Sequence, residues 1–326
     1  MRWRGLRKSE NIEDRRAEGG GGFSFPFPGG GGRFPVGGSG GRGGIGIVGI
    51  LIILGLMWFF GADPRAIMQG GPTGDGTTIP DIRLPQSRPD ATNLPLPGGE
   101  SGAQIQHPQG TSEDEMKNFV AAVLGTTEDV WQNTFAQYGQ RYSDPKLVLF
   151  SGGVRSACGM GMAAMGPFYC PGDEKVYIDL DFYRELKDRF RAPGDFAQAY
   201  VVAHEIGHHV QKLLGIADQV EAAKQQVSQT QANALQVRME LQADCLAGVW
   251  ANRAHESKGI VEPGDIEEAL GAATAIGDDR IQSQAQGYVV PDSFTHGSSE
   301  QRVRWFRRGY ETGKLEACDS FNAAEL

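Results

Sequence analysis

The sequence predicts an α+β domain that is mostly helical with a small sheet and that follows one apolar segment of membrane-spanning length. Three observations support this prediction. Several stretches after residue 110 repeat apolar residues at helical spacing, two short stretches are rich in β-branched and aromatic residues, and residues 43–62 contain no charged side chain. A chain of 326 residues with 40% hydrophobic content can bury a sizeable core beside such a segment.

Residues 1–43 are predicted to be a disordered, Gly-rich cytoplasmic segment. From residue 19 to residue 44 the sequence reads "GGGGFSFPFPGGGGRFPVGGSGGRGG", which has too few aliphatic side chains to bury a core. Residues 44–61 are predicted to form a transmembrane helix, because "IGIVGILIILGLMWFF" has about the length that crosses a bilayer. A buried core helix and a cleavable signal peptide are the alternatives, and the long charged region before the segment disfavours a signal peptide.

The charges around this segment predict its orientation. Arg33 and Arg42 precede it, whereas Asp63 and further carboxylates follow it. The positive-inside rule therefore predicts a single-pass protein of the inner membrane, with a cytoplasmic N-terminus and an extracytoplasmic, periplasmic body. The net charge is −9, and the part after residue 43 is more acidic still, since residues 1–43 have an excess of Lys and Arg. An acidic body argues against nucleic acid as a partner.

Residues 62–110 are predicted to be a flexible linker, because Pro, Gly, Gln and Asp dominate them without sustained periodicity. The folded domain is predicted over residues 111–322. Helices are expected in these stretches: two within 111–139, one from Gly194 or Asp195 to Gly215, two within 218–254, and one in 264–279. Strands are expected in 147–154 and 175–183.

Four cysteines follow the apolar segment, in the part of the chain predicted to lie in an oxidising compartment. Two disulfides are therefore expected, with three possible pairings. We favour Cys158 with Cys170, which closes a loop rich in Gly and Met, and Cys245 with Cys318, which ties down the C-terminal end. A metal site of thiolates is the alternative, but the chain has no Cys-x-x-Cys spacing.

The segment "AYVVAHEIGHHVQ" predicts a zinc site on a helix. His204 and His208 are four residues apart, so both imidazoles lie on one helical face and can bind one Zn²⁺ ion. Glu205 is close to that face without being a ligand, where it can accept a proton from a water molecule that the metal activates. Two histidines with ordinary hydrogen-bond partners, on a surface or in a core, are the alternative.

A third ligand is needed, because catalytic zinc usually takes three protein ligands. The pattern HExxHxxGxxH does not supply it, since Val210 and Leu214 stand where that pattern needs Gly and His. In "VRMELQADCLAG", Glu240 can be the ligand and Asp244, one turn later, can accept the N–H of a ligand histidine. A solvated pair of carboxylates is the alternative, and Glu221 is a weaker rival ligand.

A wider pattern is carried by "GPFYCPGDEKVYIDLDFY", "AYVVAHEIGHHVQ", "ELQADCLAGVW", "GDD" and "FTHGSSEQRVRWF". Together these segments resemble the bacterial family named "putative neutral zinc metallopeptidase" over about residues 111–322. The Arg-rich start and the apolar segment extend the resemblance to nearly the whole chain. The resemblance implies a zincin-like metallopeptidase domain of the gluzincin type.

The segment "SFTHGSSEQRVRWF" is also similar to the segment that follows the third ligand in the CAAX-protease group of membrane zincins. By that resemblance His296 donates a hydrogen bond to the oxyanion of the reaction, and Arg302 braces the site. Gly297 stands where that group tends to have Pro. The alternative is that His296 caps the following helix. Asp278 and Asp279 are interpreted as a helix terminus, an ion-pair partner or a second ion site.

These features predict a membrane-anchored zinc metalloendopeptidase that hydrolyses peptide bonds in a peptide or protein substrate, with Glu205 as general base. In zincins a short strand before the active-site helix offers its edge to an extended substrate, and "VYIDL" at 176–180 has that place. One alternative is a non-catalytic, membrane-tethered protein in which zinc is a structural clamp, against which Glu205 argues. Another is a zinc hydrolase of non-peptide bonds such as cell-wall amides. The natural substrate and the oligomeric state do not follow from the sequence.

Overall fold

The computed structural model describes residues 1–20, 112–162 and 166–326. The predicted transmembrane helix at 44–61 and the linker at 62–110 lie outside the described residues. Within the described ranges, no helix combines the length and the apolar character that a membrane crossing requires. The prediction of a mostly helical α+β domain with a small sheet is confirmed.

The strands are β1 (Ile12–Asp14), β2 (Lys146–Phe150), β3 (Gly153–Ser156), β4 (Gly159–Met162), β5 (Phe168–Cys170) and β6 (Lys175–Asp179). The α-helices are α1 (Ser112–Gln137), α2 (Asp181–Asp188), α3 (Asp195–Leu213), α4 (Ile216–Lys224), α5 (Gln229–Lys258), α6 (Asp265–Ala275), α7 (Asp278–Gln286) and α8 (Ser299–Thr312).

The main sheet has the strand order β1-β2-β6-β5. Strands β1, β2 and β6 are parallel, and β5 is antiparallel to β6. All residues of β2 and β6 after the first are buried, as expected for strands with a neighbour on each side. Strands β3 and β4 form a separate antiparallel hairpin.

The first residues of the chain belong to this folded domain. Strand β1 pairs in register with residues 147–149 of β2, and Arg7 forms an ion pair of 2.8 Å with the buried carboxylate of Glu128. The prediction of a disordered segment at 1–43 is therefore wrong for residues 1–20, and the domain does not begin at residue 111. The sequence hides this strand because it is short and charged, and its partner lies far along the chain.

Helix α1 is a single helix where the sequence predicts two. Gly125 lies in its interior, and a Cβ there would lie 2.5 Å from the backbone carbonyl oxygen of Arg7. Glycine is therefore required by the close approach of the N-terminal segment, and it does not end the helix. Thr126 and Thr127 also lie inside the helix, and each hydroxyl donates to the backbone carbonyl three residues earlier.

Two other predicted elements differ in extent. The predicted strand at 175–183 ends at Asp179, whose carboxylate accepts a hydrogen bond of 2.9 Å from the backbone N–H of Asp181 at the start of α2. The predicted helix at 264–279 ends at Ala275, and α7 begins after a break at Gly277. The two helices predicted within 218–254 are confirmed, apart from their bounds.

Helices α3, α5 and α8 pack around one core that includes large buried aromatic side chains. Helices α5 and α8 approach most closely at two glycines. A Cβ on Gly248 would overlap the carbonyl oxygen of Phe306, and a Cβ on Gly309 would overlap the carbonyl oxygen of Cys245. This close contact keeps the second half of α8 against the middle of α5.

The disulfides have the predicted pairing. Cys158 is bonded to Cys170, which joins the β3–β4 hairpin to β5. Cys245 is bonded to Cys318, which joins α5 to a short 3₁₀ helix at Leu315–Cys318. The second bond thus fixes the C-terminal end of the chain to the helix that carries Glu240 and Asp244.

Replacement of Gly309 by Ala is expected to destabilise the protein by about 3 kcal/mol, because overpacking against a fixed backbone lies at the upper end of the usual cost of about 1–3 kcal/mol. Gly271→Ala is the control, since nothing lies within 4 Å of a Cβ at that position of α6. There Ala is expected to be neutral or to stabilise by up to about 1 kcal/mol. Urea unfolding measures both, and a Gly309→Ala protein as stable as wild type would contradict the close contact.

Candidate metal centre

Helix α3 presents His204 and His208 on one face, one turn apart. Their ring centroids are 4.9 Å apart, and the ring planes are nearly perpendicular at 88°. Gly207, between them in sequence, faces α5, where a Cβ would lie 3.0 Å from the carbonyl oxygen of Ala243. The absence of a side chain at this position therefore lets α5 lie close enough for its own side chains to reach both histidines.

Glu240 reaches the two histidines from α5. Its Oε2 lies 3.1 Å from Nε2 of His204 and 3.5 Å from Nε2 of His208. Its Oε1 accepts a hydrogen bond of 2.8 Å from the side-chain amide of Gln236. The predicted third ligand is thus next to the predicted pair, whereas the rival Glu221 is exposed on α4 and lies outside this cluster.

The donor set fits a zinc ion. One ligand atom from each of His204, His208 and Glu240 lies within 4.8 Å of the other two. Two imidazole nitrogens and one carboxylate oxygen are an established ligand set of catalytic zinc, which keeps one further position open. The cluster is mostly shielded from solvent, since the exposed fraction is 7% for His204 and 6% for Glu240.

The charges of the cluster also favour a cation. Burial lowers the pKa of His204, but the carboxylates of Asp244 and Glu240 outweigh burial and raise that pKa to about 10. Burial likewise lowers the pKa of His208, and Glu240 outweighs it, so that this pKa is raised as well. Burial raises the pKa of Glu240, but the two histidines hold it well below its usual range. A divalent cation supplies the positive charge that these carboxylates attract, and its binding releases the protons.

Asp244 is a fully buried carboxylate that holds His204 from the opposite side. It accepts hydrogen bonds from Nδ1 of His204 at 2.8 Å and from the hydroxyl of Tyr200 at 2.5 Å. Arg302 donates to both of its oxygens, at 2.9 and 3.0 Å. Burial raises the pKa of Asp244, but Arg302 and His204 outweigh it and lower that pKa. His204 therefore keeps its proton on Nδ1 and turns Nε2 toward Glu240.

Tyr200 belongs to this network, although it is not among the site residues predicted from the sequence. Its hydroxyl donates to Asp244 and accepts a hydrogen bond of 3.1 Å from Arg302. A signal is present in the sequence, because Tyr200 precedes His204 by four residues and therefore lies on the ligand face of α3. An aromatic residue in an apolar run is more readily interpreted as core, which is why the signal goes unnoticed.

Glu205, the predicted general base, lies beside the cluster with 8% of its surface exposed. It lines the same cavity as His204 and His208. Among the described residues, no group donates a hydrogen bond to its carboxylate. The carboxylate can therefore accept a proton from a molecule that enters the cavity.

His296 lines this cavity from the loop before α8, with about half of its side chain exposed. Asp278 holds the loop, since its carboxylate accepts from the backbone N–H groups of Thr295, His296 and Gly297 at 2.6, 2.6 and 3.1 Å. Asp278 also bonds Nδ1 of His296 at 3.2 Å, which leaves Nε2 for another partner. The alternative that His296 caps α8 is wrong, because Ser298 is the N-cap.

The cluster opens into a cavity of about 700 Å³. Phe168 and Tyr169 of β5, Phe182 of α2 and Arg302 are part of its wall. The expectation that the strand at 176–180 offers its edge to a substrate is wrong for residues 176 and 177, because β5 pairs with β6 at residues 175–177. In the described part of the sheet, the edge next to the cavity belongs to β5.

A second acidic cluster lies at the start of α3 and consists of Asp195, Asp265 and Glu268. The amino group of Met1 lies 2.9 Å from Asp195 and 3.1 Å from Asp265. An ammonium group thus already balances these carboxylates, and we assign no metal to this cluster.

Comparison with known proteins identifies a family that this chain matches. The model of the family described as "Putative neutral zinc metallopeptidase" matches residues 1–321. A protein of Escherichia coli named "Uncharacterized protein YpfJ" is 46% identical over 322 residues, which cover 98% of this chain and 99% of the relative. A protein of Mycobacterium tuberculosis named "Uncharacterized protein Rv2575" is 45% identical over 217 residues, which cover 64% of this chain and 71% of the relative. No solved structure matches the chain.

Loss of any one ligand is expected to remove the metal. His204→Ala, His208→Ala and Glu240→Ala should each lose zinc during dialysis against a weak chelator, because each leaves only two of three protein ligands. Glu205→Gln should keep about one zinc per chain, because Glu205 is not a ligand. Elemental analysis of the purified full chain measures the difference.

Glu221→Ala is the matched control for Glu240→Ala, since it removes an exposed carboxylate that lines the same cavity. It should retain zinc at the wild-type level. Full zinc content in Glu240→Ala, or loss of zinc in Glu221→Ala with retention in Glu240→Ala, would contradict the ligand assignment.

Proposed function

The chain belongs to the family described as "Putative neutral zinc metallopeptidase", and from this premise we propose that it is a zincin-like zinc metalloendopeptidase that hydrolyses peptide bonds. The observation that carries the proposal is the cluster of His204, His208 and Glu240 with Glu205 beside it in one cavity, where no described residue donates a hydrogen bond to the carboxylate of Glu205. Zinc, when bound, lowers the pKa of a water molecule at its open position to about 7 and polarises the carbonyl of a substrate.

Glu205 moves the proton in this proposal. Its carboxylate accepts a proton from the attacking water and later donates it to the leaving amine, as a general base and then a general acid. Glu205 lines the cavity, and its carboxylate has no hydrogen-bond donor among the described residues. A proton-accepting role uses this carboxylate, whereas a purely structural role does not.

His296 and Arg302 have different roles. Among the described residues, Nε2 of His296 has no hydrogen-bond partner. Burial lowers the pKa of His296, but its hydrogen bond to Asp278 outweighs burial and raises that pKa, so the protonated imidazole can donate from Nε2 to the oxygen that becomes negative in the transition state. Loss of such a donor typically costs about 2.7–4 kcal/mol of barrier lowering. Arg302 is buried and acts through Asp244, which it neutralises and holds in place beside His204.

The sheet edge supports a peptide as the substrate. An extended peptide can add to β5 by backbone hydrogen bonds, and this places its carbonyl beside the cavity that β5 lines. Recognition through the backbone makes little demand on sequence. A structural zinc clamp needs the three ligands alone, and a hydrolase of non-peptide amides has no use for a strand edge, so neither alternative uses all of these features.

Glu205→Gln is expected to lower peptide hydrolysis by at least about 10²–10⁴-fold, the usual contribution of a general base. The amide has nearly the same shape but cannot accept the proton, so zinc content and folding should not change. The assay is cleavage of casein by the zinc-loaded full chain, with and without a chelator. The full chain is used because a protein that begins at residue 111 lacks β1 and exposes the edge of β2.

Glu185→Gln is the control, because Glu185 lines the cavity from α2 and is not part of the metal cluster. It should cleave casein at close to the wild-type rate. Equal activity of wild type and Glu205→Gln would contradict the role of Glu205. If zinc-loaded wild type cleaved neither casein nor a peptide library, the clamp alternative would be favoured.

We also propose that the folded domain lies in an oxidising, extracytoplasmic compartment, which its two disulfides support. Residues 1–20 pack against the body, so both parts share that compartment in this proposal. A single crossing by residues 44–61 would separate them. The proposal therefore keeps membrane attachment by this apolar segment, as its sequence predicts, but includes neither a single crossing nor a cytoplasmic N-terminus.

Labelling of cysteines from outside the cell membrane tests this location. Arg4 and Glu300 have exposed side chains, with 77% and 83% exposure, and Arg4→Cys and Glu300→Cys each add one free thiol. In intact spheroplasts, a membrane-impermeant maleimide is expected to label both variants, and lysed cells provide the control for reactivity. Labelling of Glu300→Cys alone would indicate a single crossing, and labelling of neither would exclude the extracytoplasmic location.

A further inference from the structure

The second metal ligand has a hydrogen-bonded support of its own. Nδ1 of His208 lies 2.8 Å from Oε1 of Gln211. Gln211 is three residues further along α3 and is fully buried. An amide oxygen can only accept, so His208 carries its proton on Nδ1 and presents Nε2 to Glu240. Gln211 therefore does for His208 what Asp244 does for His204.

Gln211 is itself oriented by two acceptors on α5. Its side-chain NH₂ donates to the backbone carbonyl of Met239 at 2.8 Å and to Oε1 of Gln242 at 3.0 Å. Gln242 in turn donates its own NH₂ to the backbone carbonyl of Cys318 at 2.9 Å. Gln211 and Gln242 have exposed fractions of 0% and 7%, so solvent offers few competing partners.

Cys318, at the far end of this series of hydrogen bonds, fixes which way the amide groups of Gln242 and Gln211 point. The carbonyl of Cys318 can only accept, so it draws the NH₂ of Gln242 and turns the oxygen of Gln242 toward Gln211. Gln211 then presents its oxygen to His208. A reversed amide in either glutamine would place two donors or two acceptors against each other in a buried site, which is costly.

The carbonyl of Cys318 is held in place by a disulfide. Cys318 is bonded to Cys245, which follows Asp244 directly on α5. Both cysteines are buried. Without this bond, the 3₁₀ helix that carries Cys318 has only non-covalent contacts to α5. The Cys245–Cys318 disulfide thus lies next to Asp244, which bonds His204, and at the end of the hydrogen-bond series that leads to His208.

We propose that Gln211 and Gln242 are positioning residues for the metal ligand His208, and that the Cys245–Cys318 disulfide sets their orientation, so that loss of this disulfide weakens zinc binding. The inference deepens the proposed function, because it rests on the metal site assigned there. It does not require that the protein cleave peptides. Formation of the disulfide in an oxidising compartment is then a condition for full metal affinity.

Zinc affinity of the full chain is the readout, measured by competition with a chromophoric chelator. Gln211→Met is expected to weaken binding by about 10–100-fold, the usual effect of losing the partner of a ligand histidine. The double variant Cys245→Ala/Cys318→Ala is expected to weaken it by about 10-fold, the lower end of that range, because Met239 still orients Gln211. Alanine is used in place of reduction because free thiols bind zinc.

The matched control is Cys158→Ala/Cys170→Ala, which removes the other disulfide and should leave zinc affinity within about 2-fold of wild type, because Cys158 and Cys170 lie outside the chain of glutamines. Circular dichroism at the assay temperature confirms that each variant is folded. Gln242→Met should bind zinc about as weakly as the Cys245→Ala/Cys318→Ala variant. Combining the two changes should give little further loss of zinc affinity, since both interrupt the same series of hydrogen bonds between Cys318 and His208.

A spectroscopic readout separates orientation from general stability. In nitrogen-15 spectra of the zinc-loaded protein, the Nδ1 proton of His208 is expected to be visible in wild type and in the Cys158/Cys170 control. It should exchange rapidly in the Gln211, Gln242 and Cys245/Cys318 variants. Equal zinc affinity of both disulfide variants, or fully additive losses for Gln242→Met and Cys245→Ala/Cys318→Ala, would overturn the proposal. Absence of zinc binding by wild type would instead contradict the proposed function.

Discussion

The buried carboxylate of Asp244 is the interaction on which the rest of the site depends. It accepts hydrogen bonds from His204 and Tyr200 of α3 and from Arg302 of α8, and it lies itself on α5. Three helices thus meet at one negative charge that is shielded from water. Removal of one partner would leave an unpaired charge in the core, which typically costs about 3–5 kcal/mol. The same requirement that holds the helices together also fixes the tautomer of His204, so stability and metal binding have one physical origin.

The packing of the helices around Asp244 explains the role of glycines that have no chemical function. Gly248 and Gly309 let α8 lie against α5, which brings Arg302 within reach of Asp244, and Gly207 lets α5 lie against α3, which brings Glu240 within reach of the histidines. The carboxylate of Asp278 binds the loop that carries His296. The N-terminal strand completes the sheet beyond β2, at the opposite edge from β5. It supports the strands that position β5 at the cavity.

The sequence predicts what is local, and less of what depends on contacts between distant segments. Helical spacing alone places His204 and His208 on one face, and the apolar character of the later helix leads to Glu240 and Asp244. Strand β1 goes unpredicted because three charged or branched residues have no pattern until β2 lies beside them. The edge strand is misassigned because strand order within a sheet is not written in any one strand. Asp278 is predicted at a helix terminus, where it lies, but its bonds to the loop of His296 depend on a distant contact. Gln211 goes unpredicted because its orientation toward His208 depends on a backbone carbonyl of another helix, so its residue type alone gives no signal.

Anomalous diffraction from zinc-loaded crystals of the full chain, recorded on both sides of the zinc absorption edge, tests the central claim most directly. We expect one strong anomalous peak within bonding distance of Nε2 of His204, Nε2 of His208 and a carboxylate oxygen of Glu240, with Nδ1 of His204 still bonded to Asp244. A peak at Asp195, Asp265 and Glu268 with none at the histidines, or a zinc ion held by the histidines while Glu240 points away, would contradict the site described above.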